Sequence, residues 1–355
     1  MGATMSVESL DPAALVAGGC RIDVRSPAEY AQGHIPGAVN VPLFSDAERS
    51  EVGTLYKQQG RQTAVLHGLA AVGPRLHTLA ARLLELAAES NGPLQLYCWR
   101  GGMRSASVAW LADTLGLSTT RLEGGYKRFR RWVLDRFEAP LPLLLLGGRT
   151  GSGKTDLLQA LHHAGASVID LEGLAHHRGS SFGGLGQEPQ PSSEHFENLL
   201  AMALERFNDD APIWLEAESA QVGRCRIPAG LWRQMQHAPV VELQRQDSER
   251  ISRLVAVYGA QEREALHQAT ERISRRLGPQ RTSLALEAIA AGDMAAACVQ
   301  MLDYYDRCYD HELQQRQRPP LLQLDGSGLC ETLLAEQLLA WQQQQRDLIR
   351  AAMLP

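Results

Sequence analysis

The stretch Leu141-Pro142-Leu143-Leu144-Leu145-Leu146-Gly147-Gly148-Arg149-Thr150-Gly151-Ser152-Gly153-Lys154-Thr155 decides how the chain folds. An unbroken apolar run of this kind is what a parallel strand covered on both faces requires. The run ends in glycine, and Gly148 to Thr155 fits G-x-x-x-x-G-K-[ST] at every fixed position. Strand, Gly-rich turn and helix, in that order, are the context in which this pattern means a phosphate loop. The backbone N–H groups of Gly148, Arg149, Thr150, Gly151, Ser152 and Gly153 are expected to wrap a diphosphate. Lys154 is expected to neutralise it, and Thr155 could ligate Mg²⁺. Asp170, at the end of the next expected strand, and Glu216 or Glu218 in Ile213 to Ser219 are candidates for a metal-assisting acid. Each of them is also readable as an ordinary strand-end carboxylate. The motif specifies a diphosphate and does not say which molecule carries it.

Working outward, Lys154 to Ala164 reads as the helix after the loop, and 166–171 and 213–216 as further strands. Residues 247–313 carry a helical pattern, 321–324 a last strand, and 331–353 a Gln-rich terminal helix whose glutamines form a solvated face. Upstream, Pro140 and Pro142 punctuate a boundary. Before it, 20–24, 38–41 and 94–98 read as strands and 64–86 and 105–115 as helices. Alternating strands and helices argue for parallel sheets. The expected fold is α/β throughout, with one unit at 8–138 and a second, with a helical C-terminal portion, at 139–355. No internal repeat is visible.

A second chemical motif closes the strand at 94–98. It runs Tyr97-Cys98-Trp99-Arg100-Gly101-Gly102-Met103-Arg104-Ser105, between a strand and a helix. Successive backbone N–H groups in such a turn, with a helix N-terminus behind them, form an anion cradle. The same field stabilises a thiolate, and Arg100 and Arg104 add positive charge. Cys98 is therefore a nucleophile candidate, with Trp99 to Ser105 as the loop that holds its anion. The other five cysteines, Cys20, Cys225, Cys298, Cys308 and Cys330, are widely spaced without a CxxC. They fit a reducing cytosol and no disulfide framework. His162-His163 and His176-His177 lack zinc-ligand spacing, so no firm metal site follows from them.

On these residues the N-terminal unit resembles the rhodanese family. Asp23 to Tyr30 (DVRSPAEY) and Gly33 to Pro42 (GHIPGAVNVP) look like that family's signature. The resemblance implies structural roles for Asp23 and His34. Simple sulfurtransferases of the family close the loop one residue sooner. Five residues here separate Cys98 from Arg104, as in rhodanese-like phosphatases, which suggests a phosphate-sized anion.

Over its whole length the chain resembles the bacterial tRNA 2-selenouridine synthases. Besides the two loops, Leu122-Glu123-Gly124-Gly125-Tyr126-Lys127, Ser181-Phe182-Gly183, Glu216-Ala217-Glu218-Ser219 and the run from Glu48 to Gln58 carry it. The first unit is thus expected to be a rhodanese-like parallel-sheet domain. The second is expected to be a P-loop NTPase-like domain. The resemblance implies that wobble 2-thiouridine of tRNA is S-geranylated from geranyl diphosphate and then selenated from selenophosphate. It implies no tightly bound cofactor, and it admits the selenophosphate-producing enzyme as a partner.

Composition bounds the rest. The chain has 355 residues, 44% hydrophobic and 21% charged, with a net charge of −5 and a pI near 6.1. No apolar run approaches the ~20 residues of a membrane span, and the first residues do not read as a secretory signal. A cytoplasmic protein is expected. Gly2 and Ser6 match the short myristoylation pattern, read here as coincidence because no second anchor follows. The acidic total argues against a dedicated nucleic-acid binder. However, the charge is uneven: the first 138 residues hold 15 basic and 13 acidic side chains. Arg121, Lys127, Arg128, Arg130, Arg131 and Arg136 face only Glu123 and Asp135. Tyr126, Phe129 and Trp132 interleave with them, as base stacking would require. This strip is the candidate tRNA contact. Arg245, Arg250, Arg253, Arg272, Arg275, Arg276 and Arg281 form a second candidate. The rival readings are a nucleotide-dependent kinase fused to a sulfurtransferase or cysteine phosphatase, and a non-catalytic adaptor. Intact loops at 98–104 and 148–155 argue against the adaptor.

Overall fold

A computed structural model describes residues 9–10, 19–207, 211–316 and 318–353. Gly2 and Ser6 lie outside them. The chain forms two compact units. The first runs to Arg136 and takes in Glu194–Arg206; the second comprises Phe137–Ser193 and the chain from Phe207 onward. Glu194–Arg206 thus belongs with the first unit although it lies within 139–355.

In the first unit, β1 (Ser9–Leu10), β2 (Cys20–Asp23), β3 (Ala38–Asn40), β4 (Leu94–Tyr97) and β5 (Thr119–Leu122) form one sheet in the order β1-β5-β4-β2-β3. Every pairing is parallel. β4 is central and buried along its length. Ile22, Val24, Leu83, Leu96 and Val108 are among the residues of its core. The helix expected at 64–86 is two helices, Arg61–Val72 and Leu76–Glu89, with a 3₁₀ turn at Gly73–Arg75 between them. Pro74 has no N–H to continue the first, which explains the break. The helix Met103–Thr114 follows β4 directly, so Cys98 stands where ligands bind in parallel sheets, at a strand's carboxyl end.

In the second unit, β6 (Leu143–Gly147), β7 (Ser167–Ile169), β8 (Ile213–Glu216), β11 (Val240–Gln244) and β12 (Leu322–Asp325) form a parallel sheet in the order β12-β11-β6-β8-β7. β9 (Gln221–Val222) and β10 (Cys225–Arg226) make a small antiparallel pair apart from it. The apolar run is the central strand, buried at all five positions. Helix Lys154–His163 follows the phosphate loop. The helical stretch from 247 is four helices: Asp247–Tyr258, Arg263–Leu277, Pro279–Ala291 and Met294–Gln315. Gly259, Gly278 and Gly292 mark the breaks. The terminal helix breaks near Gln345, and Gln342 is half-buried, accepting a bond from Trp214 Nε1 at 2.8 Å. Of the run Gln342 to Gln345, Gln342 is thus turned inward and the other three are exposed as expected.

Candidate functional site

Cys98 is buried at the end of β4, with its Sγ 3.3 Å from Ser105 Oγ. The loop is clasped from outside by the start of helix Gly125–Glu138. The N–H groups of Tyr126 and Lys127 donate to the carbonyls of Cys98 and Trp99, each at 2.9 Å. Gly125 sits at φ +59°, and a Cβ there would overlap Cys98 O and Gly101 N. Only glycine meets both demands. Arg104 does not reach freely into the loop. It donates to Glu29 at 2.6 Å, and Arg49 lies 3.5 Å from the same carboxylate. Burial pushes the Glu29 carboxyl up, but Arg104, the Ser26 N–H and Arg49 together hold it below its ordinary value. Glu29 was not singled out from sequence. Its signal lay in the helix-start pattern Ser26-Pro27-Ala28-Glu29, where its side chain also caps Ser26 N at 3.1 Å.

Asp23 and His34 occupy the structural places the family resemblance implied. Asp23 forms a buried pair with Arg25, which donates onward to Gly33 O at 2.7 Å. The Arg25 guanidinium lies 3.7 Å from the Tyr126 ring centre, so the pair supports the residue that clasps the cysteine loop. His34 stacks between Tyr30 and His195.

In the second unit, Lys154 Nζ donates to Gly148 O at 2.9 Å across the phosphate loop. Two arginines hold the loop's carbonyls: Arg250 Nε donates to Thr150 O and Arg245 Nε to Ser152 O, each at 2.9 Å. Both are almost wholly buried and are paired, Arg250 with Asp247 and Asp306, Arg245 with Glu331. Arg253 pairs with Asp156 and Glu331, and Arg281 with Asp303. The reading of this arginine series as an RNA surface is therefore wrong for Arg245 and Arg250, which cannot reach a phosphate from the interior. Arg149 is turned to Asp310 at 2.8 Å.

Thr155 Oγ1 donates to Glu216 at 2.7 Å and to Glu172 at 3.0 Å. Glu172, Glu216 and Glu218 each bring one carboxylate oxygen to within 4.8 Å of the others. Burial raises the Glu172 carboxyl to about 8, with Glu218 adding to the rise and Lys154 opposing it. Burial, then Glu172 and Glu218, hold Glu216 well above the carboxylate range. Glu218 is raised by burial against the pull of Lys154. Asp170 is not part of this cluster. It caps helix Leu171–Ala175, accepting from Gly173 N at 2.7 Å. Of the three acids expected, two come together, and the third member is Glu172, two residues beyond Asp170.

All of the basic strip except Arg121 lies on helix Gly125–Glu138, and helical periodicity sorts it. Tyr126 and Phe129 are fully buried, so they cannot stack on bases, while Trp132 is half-buried. Arg130 turns inward to Glu197 and Asn198, and Arg136 to Glu205. Lys127, Arg128 and Arg131 point outward, with Arg128 beside Glu123. Arg121 is half-buried on β5.

These features define a rhodanese-type cysteine-loop domain joined to a phosphate-loop domain. Comparison with known families agrees: a rhodanese-like domain matches residues 13–131, and the tRNA 2-selenouridine synthase AAA domain matches 141–339. The tRNA 2-selenouridine synthase of Shewanella denitrificans is 35% identical over 344 residues, covering 87% of this chain and 92% of that one. That of Bordetella bronchiseptica is 38% identical over 335 residues, covering 83% and 88%. That of Marinobacter nauticus is 37% identical over 333 residues, covering 83% and 89%. The chain belongs to the tRNA 2-selenouridine synthase family.

Proposed function

We propose that this chain replaces the sulfur of wobble 2-thiouridine in tRNA by selenium, in the cytoplasm and in two steps. The observation that carries the proposal is that one chain holds two distinct strand–loop–helix sites, each of a kind that suits an anion. One has a cysteine at its head; the other is an intact phosphate loop. A thiocarbonyl sulfur is a poor leaving group. Attack of that sulfur on C1 of geranyl diphosphate breaks the carbon–oxygen bond and makes a thioether, which can depart as a thiol. The loop from Gly148 to Thr155 would hold the diphosphate as its charge develops. The loop from Cys98 to Ser105 would hold selenophosphate, with Cys98 positioning it: its selenium attacks C2, geranyl thiol departs, and water cleaves the selenium–phosphorus bond to release phosphate.

The second unit also fits a divalent cation. Three clustered carboxylates face a single lysine, and Glu216 Oε2 has no hydrogen-bond partner among the described residues. Thr155, Glu172, Glu216 and Glu218 are the residues that would hold Mg²⁺, which when bound would neutralise diphosphate charge. The same features favour one other reading, a nucleotide-dependent kinase joined to a sulfurtransferase or cysteine phosphatase. Nucleoside mass spectrometry separates the two. 2-Thiouridine tRNA, geranyl diphosphate and selenophosphate should yield S-geranyl and then seleno nucleosides. Absence of both products, with brisk ATP turnover, would favour the kinase.

A further inference from the structure

The phosphate loop adjoins an apolar cleft. Thr150 of the loop lines it together with Phe182, Leu254, Leu266, Cys298 and Met301. Phe182, Leu266 and Met301 belong to the buried core of the helices that follow β11. The helix Asp247–Tyr258 carries Leu254 directly onto the loop: a Cβ built on Gly151 would sit 2.9 Å from Arg250 O and 3.1 Å from Leu254 Cγ. The cleft and the loop are thus walled by one helix. Burial pushes the Cys298 thiol up to about 11, so it stays neutral and adds to the apolar lining.

We infer that this cleft is the subsite for the hydrocarbon chain of a prenyl diphosphate whose diphosphate lies in the 148–155 loop. The inference rests on the geranyl diphosphate reading above and gives its tail a place. A purine or ribose would need hydrogen-bond partners that these walls barely offer, because their polar groups are a few hydroxyls, those of Thr150, Ser180, Tyr258 and Tyr305. A prenyl chain needs none and gains by leaving water. The free space enclosed between the walls is only about 30 Å³, so a prenyl chain enters by displacing side chains rather than by filling a preformed tunnel. The unbranched Met294 and Met301 side chains can turn aside to admit a chain, as thioethers in adaptable pockets do.

The test is a chain-length series on the full protein: inorganic pyrophosphate, then dimethylallyl, geranyl and farnesyl diphosphate, measured by calorimetry. Wild-type affinity should rise from pyrophosphate to geranyl diphosphate. Cys298→Phe, which fills the cleft, should weaken geranyl diphosphate by at least about tenfold, the effect of excluding only two methylenes. Pyrophosphate binding should be unchanged, which also shows that the loop is folded. Met301→Ala, which enlarges the cleft, should shift the preference toward farnesyl diphosphate. If wild type binds pyrophosphate and geranyl diphosphate equally, the prenyl reading fails and the subsite with it. A wild-type preference for geranyl diphosphate that both variants retain overturns the subsite alone.

Discussion

On the proposed reaction, Cys98 and Gly125 divide the work of the first loop, one chemical and one geometric. Cys98→Ser should keep S-geranylation and abolish selenation of 2-thiouridine tRNA, read by nucleoside mass spectrometry. Loss of both products would refute the division of labour between the units. Gly125→Ala forces a Cβ onto Cys98 O and Gly101 N, in a left-handed conformation. A cost on the order of 2–4 kcal/mol in stability follows, together with lost selenation, because the clash displaces the loop itself. Glu172 supplies a pH prediction. Its folded carboxyl titrates near 8, above the ordinary 4.5, so the folded state holds a proton that the unfolded state has released. Stability should therefore fall as pH rises from about 4.5 to 8. Thermal melting should show this in chelator, Mg²⁺ should restore the loss, and Glu172→Gln should flatten the slope. A pH-independent melting temperature in chelator removes the carboxylate cluster as its cause.

At the scale of elements, helix Gly125–Glu138 separates the basic residues into two kinds. Lys127, Arg128 and Arg131 face outward. Replacing all three by Gln should weaken tRNA binding and make its logarithmic salt dependence shallower by up to about two to three units, leaving the melting temperature within a degree or two. Arg130→Ala instead strands Glu197 and removes the bond to Asn198 Oδ1, and should destabilise before it affects affinity. The sequence holds all six charges, and the period of 3.6 had to be applied to the five on the helix. Interleaved Tyr126 and Phe129 look like stacking platforms until the helix turns them into the core. Local patterns served better where strand, turn and helix are contiguous: the central strand and both loops are legible from 94–105 and 141–155. Glu172 and Glu29 were harder to find because their partners, Thr155 and Glu216 for one and Arg104 for the other, are distant in sequence. A carboxylate is read as functional only once its neighbours are known. The roles of Arg245 and Arg250 were hidden for the same reason, since a buried arginine and an exposed one are spelled alike.

The molecule as a whole carries two parallel sheets on one chain, and among the described residues no helix is long and apolar enough to cross a membrane. The first unit is not contiguous in sequence. Its helix Ser193–Leu204 supplies Glu194 to Tyr126 OH at 2.7 Å, and Asn198 to His34 O at 2.8 Å. A fragment ending at residue 138 lacks those partners. It should melt well below the same unit in the full chain, and a peptide spanning 193–206 added in trans should raise its melting temperature. Equal melting of fragment and full chain would show that the helix contributes nothing.

That borrowed helix also sets an order of events during synthesis. Ribosomes deliver the chain from the N-terminus, so Tyr126 and Arg130 leave the exit tunnel some 70 residues before Glu194, Glu197 and Asn198. At about 5–20 residues per second, this is a wait of roughly 4–14 s. During that interval the cysteine loop's clasp has lost its backing, and the strand carrying the phosphate loop has already emerged. The first unit therefore completes its fold only after the phosphate loop itself has been made.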